Sequence, residues 1–267
     1  MVTTLFFGLA LAAAVIVFFA LVISIRAAFY GERDWRRGPP QAWRPALIQG
    51  DALEKWAAAA AEKFLSSQLA ANNLAAAAPD LVAALGVHAT EAMLPFARSA
   101  ERERVVACGT EQAGRVGITG IEALAIVAEL RARLSSREQE CVLRIARMNL
   151  ARLEVAGQER RDQLSLPCPL RATNLVCRAY GVRPLPCRSR HANVVARTMA
   201  GRQLPTEHVR TVLVGVTCGL ARALKSAGHD ENRYELNSAI VAAFDTASAA
   251  EGWAAGRPIF GSCLRAA

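Results

Sequence analysis

Aromatic residues make up only 6% of this 267-residue chain, although 53% of it is hydrophobic. Alanine, leucine and valine therefore supply the apolar content, which is a helix-forming composition. Alternating runs of β-branched residues are nearly absent, so a strand-based architecture is not expected. Acid is missing locally rather than globally. The chain carries 23 Asp and Glu, yet none lies between Leu164 and Thr206, where seven arginines fall (Arg171, Arg178, Arg183, Arg188, Arg190, Arg197 and Arg202). Lys and Arg are missing from Met1 to Thr4, ahead of the longest apolar run. The tight C-x2-4-C pair that marks most structural zinc sites is missing too.

The net charge of +9 comes mainly from arginine. Outside the acid-free segment the basic residues are interleaved with acids, as in Arg98–Val105 (RSAERERV) and Arg152–Asp162 (RLEVAGQERRD). That pattern is a solvated helix face with i,i+4 pairs. No nucleic-acid-binding motif accompanies it, and nucleic acid is not expected as a partner.

Leu5–Ile25 (LFFGLALAAAVIVFFALVISI) is an uncharged apolar run long enough to span a bilayer, which takes about 20 helical residues. It exceeds the roughly 7 to 15 residues of a signal-peptide core and lacks the basic flank before it, so we read it as a retained transmembrane helix. Arg26, Arg33, Arg36 and Arg37 follow immediately. The positive-inside rule then puts the C-terminal domain in the cytoplasm, as a single-pass protein of the inner (cytoplasmic) membrane. In a reducing compartment seven cysteines read as metal ligands, catalytic groups or buried small side chains rather than disulfides. The expected organisation is a transmembrane anchor (1–28), a basic, proline-rich juxtamembrane linker (29–50) and one helical cysteine-cluster domain (51–267). The fold class is mainly α: a single transmembrane helix, then an all-helical soluble domain with a cysteine-containing loop.

Within that domain Asp51 is placed to cap a helix reaching about Asn72, and a second starts at Pro79-Asp80 towards Arg104. Thr119 caps a helix ending near Leu134, and Ser135 with Glu138 has capping-box spacing for another through Val155. A further helix starts at Pro205 or Thr206 and runs to Ala227, with Gly228 as its C-cap. Residues 233–245 and 246–255 read as two short helices. Cys141 and Cys218 sit among apolar residues and read as core cysteines, Cys263 falls in a tail, and His208 reads as exposed. His88 reads as a packed or surface residue.

The candidate site is the segment Cys168-Pro-Leu-Arg-Ala-Thr-Asn-Leu-Val-Cys177-Arg-Ala-Tyr180-Gly-Val-Arg183-Pro184-Leu-Pro-Cys187-Arg188-Ser-Arg-His191. Its spacing is C-x8-C-x9-C-x3-H. Three loop cysteines with His191 or the distant Cys108 supply four ligands for zinc or iron. Pro167, Pro169, Pro184 and Pro186 restrict the loop and lower the ordering cost of a preformed site. Nearby guanidinium groups favour thiolate, the form that binds metal; alternatively they meet acidic residues, phosphate or lipid. Cys187 and His191 are spaced to share a helix face, but no Asn or Asp to orient the histidine is identifiable, so a nucleophilic enzyme is the less favoured reading.

The segment resembles the second cluster of the YkgJ-type cysteine cluster family, associated with zinc or iron chelation. The residues that carry the resemblance are Cys168-Pro169-Leu170, then Cys177, Tyr180, Arg183-Pro184 and Cys187-Arg188. Val116-Gly-Ile-Thr119-Gly-Ile-Glu122-Ala123 is similar to the segment after that family's first cluster. Tyr234-Glu235-Leu236-Asn237, Trp253-Ala-Ala-Gly256 and Phe260 are similar to the C-terminal end of longer members. Of a first cluster of the form C-x3-C-x2-C-C, this chain has only Cys108. With the anchor read from the apolar run, the resemblance implies a membrane-anchored protein that binds zinc or iron, an iron–sulfur centre included, in a structural or metal-handling role. The alternative is a metal-free member serving as accessory subunit of a membrane complex, its arginine-rich loop docking on an acidic protein partner.

Overall fold

The computed structural model describes residues 50–69, 74–94, 116–161, 164–198 and 206–266, all in one compact unit. The apolar run Leu5–Ile25, the linker up to residue 49 and Cys108 lie outside the described residues. Among the described residues no helix is long and apolar enough to cross a membrane.

The described chain is mainly helical. Its elements in order are α1 (Asp51–Leu69), α2 (Leu74–Met93), β1 (Gly117–Thr119), α3 (Gly120–Arg133), α4 (Ser136–Arg160), α5 (Leu185–Thr198), α6 (Thr206–Ser226), β2 (Arg233–Glu235), α7 (Leu236–Asp245) and α8 (Ala249–Ala254). The centre is α3, buried around its whole circumference from Gly120 to Val127. Thr119 and Glu122 close a capping box at its start, satisfying donors that a buried helix end would otherwise leave orphaned. The Ser135–Glu138 box starts α4 in the same way. Hydrogen bonding to Ser135 holds the Glu138 carboxyl below its ordinary range.

α1 and α6 pack side by side at a distance only glycine allows. A Cβ on Gly215 would lie 2.4 Å from the Glu54 carbonyl oxygen, and one on Gly219 would lie 2.3 Å from that of Ala58. The facing surface is equally small, with Ala57, Ala58 and Ala61 buried. At the far end of α6, Gly228 takes φ +76° and the His229 N–H donates to Leu224 O (2.9 Å), the helix stop expected of this glycine.

The structure departs from the sequence reading at several points. α2 begins at Leu74, with Pro79 inside it. A proline in the second turn removes one ladder bond close to the helix start, where the disruption is small. The same helix ends at Met93, and the expected continuation over 95–104 lies outside the described residues. Residues 233–235 form β2, antiparallel to β1 with Ile118 opposite Tyr234, instead of opening a helix. The C-terminal tail adds to this edge: Glu235 N–H donates to Leu264 O (2.8 Å) and Ala266 N–H to Arg233 O (3.0 Å). Glu235 then caps α7 by accepting from Ser238 N–H. Cys141 and Cys218 are half-buried rather than core residues, because the buried stripe of α4 runs through Val142, Ala146, Asn149 and Leu153 and that of α6 through Val212, Val216 and Leu220. His208 is half-buried, its Nε2 3.1 Å from Ala92 O. His88 is exposed, edge-on to the Phe64 ring.

Candidate functional site

The cysteine segment begins as a short hairpin. Arg171 N–H donates to Cys168 O (3.2 Å), Arg178 N–H to Leu170 O (2.7 Å) and Ala172 N–H to Val176 O (2.9 Å). Arg171 and Cys177 face one another as an antiparallel bridge. At the tip, Asn174 Oδ1 accepts from Val176 N–H (3.2 Å), and Leu175 takes φ +65°, a strained choice for a branched side chain. Cys168 and Cys177 thus stand near the base of one hairpin. Cys187 lies in the first turn of α5 and His191 one turn further on. The three cysteines are half-buried against the main core, and His191 is buried.

The segment is held from outside by groups whose roles its own spacing does not reveal. Glu122 is buried. Its Oε2 accepts from Thr119 N–H (2.8 Å) and Oγ1 (2.9 Å). Its Oε1 accepts from Leu185 N–H (2.9 Å), so one carboxylate caps both α3 and α5. Pro186, in the first turn of α5, lacks an N–H where none is needed. Asn149 on α4 donates from Nδ2 to Pro167 O (2.8 Å) and to Asn237 Oδ1 (2.9 Å), fixing the residue before Cys168. Asn237 in turn donates to Glu235 Oε1 (2.5 Å). Burial pushes the Glu235 carboxyl above its ordinary range.

Two of the arginines, Arg183 and Arg188, are structural. Arg188 is buried, donating from Nε to Arg183 O (3.0 Å) and from Nη2 to Gly181 O (2.5 Å). Its guanidinium lies against α2 at Gly86, where a Cβ would come within 2.1 Å of Cζ. Burial, then repulsion from Arg183, pulls its pKa down to about 10, so it stays charged at neutral pH. Arg183 lies over the Tyr180 ring, 3.8 Å from its centroid, and donates to Tyr180 O (3.3 Å). Arg178 pairs with Glu138 at 3.4 Å on an exposed face, a contact of small energy. Arg171, backbone partner of Cys177, has Nη1 buried without a hydrogen-bond partner. Tyr180, Arg183 and Arg188, singled out in the sequence as a frame, therefore build the turn that carries Cys177 into Cys187.

Among the described residues no group of three or more His, Cys, Asp or Glu is placed to hold a metal ion. Cys168, Cys177, Cys187 and His191 share a segment of the chain without forming such a group, and Cys108 lies outside the described residues. Sequence reasoning missed Gly86, Asn149 and the second role of Glu122. A glycine inside a helix, as at Gly86, is the one local signal of close approach. Compared with known protein families, curated proteins and solved structures, the chain matches none.

Proposed function

We propose that this chain is a membrane-anchored protein of the inner membrane whose cytoplasmic domain binds one zinc or iron ion through Cys168, Cys177, Cys187 and Cys108, with His191 as the substitute fourth ligand. Its role is structural or metal-handling rather than enzymatic, as the resemblance to the YkgJ-type family implies. The observation that supports this reading best is the buried Nη1 of Arg171, which lacks an acceptor on the residue paired with Cys177. Three or four thiolates around a divalent ion leave a net negative charge, and a desolvated guanidinium offsets it. Elemental analysis of the full chain, purified without metal-affinity steps, should find close to one equivalent of zinc or iron. A Cys177→Ser/Cys187→Ser variant should lose it, and a fully folded wild-type chain free of metal would sink the reading.

The absence of a three-donor group among the described residues favours a second reading, a metal-free accessory subunit of a membrane complex. In that case the arginine-rich segment docks on an acidic protein. Purification in mild detergent should then bring down a stoichiometric partner, and recovery of the isolated monomer alone would reject it.

A further inference from the structure

A second site lies at the C-terminal end of the domain, and none of the candidate metal ligands lines it. It is a cavity of about 440 Å³ between the turn after α6 and the tail after α8, walled by His229, Trp253, Tyr234, Phe260, Arg257 and Arg265 among others. The volume falls in the range that small-molecule sites occupy, roughly 300 to 1,000 Å³.

Its lining is organised rather than incidental. His229 stacks on Trp253 with ring centroids 4.6 Å apart and planes 17° from parallel. Trp253 is buried and His229 half-buried, so the imidazole is the more exposed ring of the stack. His229 Nδ1 is sealed from water without a hydrogen-bond partner; the tautomer that avoids burying an unsatisfied N–H carries its proton on Nε2. Burial also holds this imidazole below its ordinary range, leaving it neutral.

Both arginines are positioned. Arg265 Nη1 donates to Asn232 Oδ1 (2.8 Å), and the Arg257 guanidinium lies against Gly252, where a Cβ would be 2.7 Å from Nη2. Of the described residues lining the cavity, Asp230 is the one acid. Its Oδ1 accepts from Asn232 N–H (2.9 Å) and Nδ2 (2.5 Å), and its Oδ2 from the Tyr234 hydroxyl. That carboxylate is thus engaged within the wall. Two guanidinium groups against one acid give the cavity a net charge of +1.

We propose that this cavity binds a small planar monoanion, an aromatic or heteroaromatic carboxylate, with its ring against His229 and its carboxylate towards Arg257 and Arg265. A stacked neutral imidazole favours a flat apolar body, and the arginine pair recognises the planar carboxylate. The site is independent of the metal reading.

The test is a titration of the full chain with benzoate and its uncharged isostere benzamide, following the indole N–H signals of the four tryptophans by NMR. The Trp253 signal is assigned by its loss in Trp253→Phe. Benzoate should shift Trp253 saturably, and benzamide should need at least about tenfold more, the usual weight of a charge-assisted hydrogen bond. Arg257→Gln and Arg265→Gln should each weaken benzoate by about tenfold, while Arg152→Gln, on an exposed face of α4, should not. Equal response to benzamide, no saturable shift at Trp253, or wild-type affinity in both arginine variants would each overturn the proposal.

Discussion

Two interfaces of this domain use glycine to admit a close neighbour, and the neighbours differ in kind. Between α1 and α6, Gly215 and Gly219 meet main-chain atoms of Glu54 and Ala58. Between α2 and α5, Gly86 meets the guanidinium of Arg188. A backbone neighbour cannot move without shifting a helix, so that contact defends only its own packing. A guanidinium could swing away, but this one is tied to the carbonyls of Gly181 and Arg183. Pressure at Gly86 is therefore passed to the turn that carries the cysteines. One interface holds helices together; the other couples a helix to the candidate site.

The sharpest way to break the second arrangement is at the carboxylate behind it. Glu122→Ala should destabilise the domain by about 2 to 5 kcal/mol, because it leaves the buried N–H groups of Thr119 and Leu185 without their acceptor at about 1 to 3 kcal/mol each. Chemical denaturation measures this, and a loss below 1 kcal/mol would contradict the double-cap assignment. Gly219→Ala should cost about 1 to 3 kcal/mol through overpacking, with little change at the cysteine segment. Gly86→Ala should cost about 1 to 2 kcal/mol and raise the rate of thiol alkylation at Cys187, whereas Gly219→Ala should not. In an Arg188→Met background most of the Gly86→Ala penalty should disappear, and strict additivity of the two changes would break the proposed coupling.

The smallest expected effect concerns pH. The Glu235 carboxyl is raised by burial above 4.5, so its contribution to stability is fully present below the unfolded value and is lost as pH rises through the folded one. Wild-type stability should fall across that interval, and Glu235→Gln should flatten the profile. An unchanged slope in the variant would remove Glu235 as its source.

Local chemistry made much of the fold legible. The boxes at Thr119 and Ser135 and the stop at Gly228 are short-range devices, written in a few adjacent residues. The β1–β2 pair was not legible, because each strand has three residues and their pairing spans most of the domain. The cysteine segment could be located, and Tyr180, Arg183 and Arg188 marked, from spacing and resemblance alone. Their function as staples could not, since a run of arginines without acids reads equally as a binding field. Arg188 turns inward into the space that Gly86 leaves, on a helix far away in sequence. Asn149 was hidden for the same reason: a polar residue on an apolar stripe announces a buried partner without naming it.

The Asn149–Asn237 bond joins residues 88 positions apart, and the same Asn149 amide holds the Pro167 carbonyl. During synthesis, therefore, the cysteine segment emerges before the chain that completes its support. Helix α5 also packs against α6, so the support of the segment is drawn from chain on both sides of it, and non-local closure of this kind is the slow part of folding. Cys168 follows Pro167 directly, so the chain up to Asn237 must be present before its backbone support is complete.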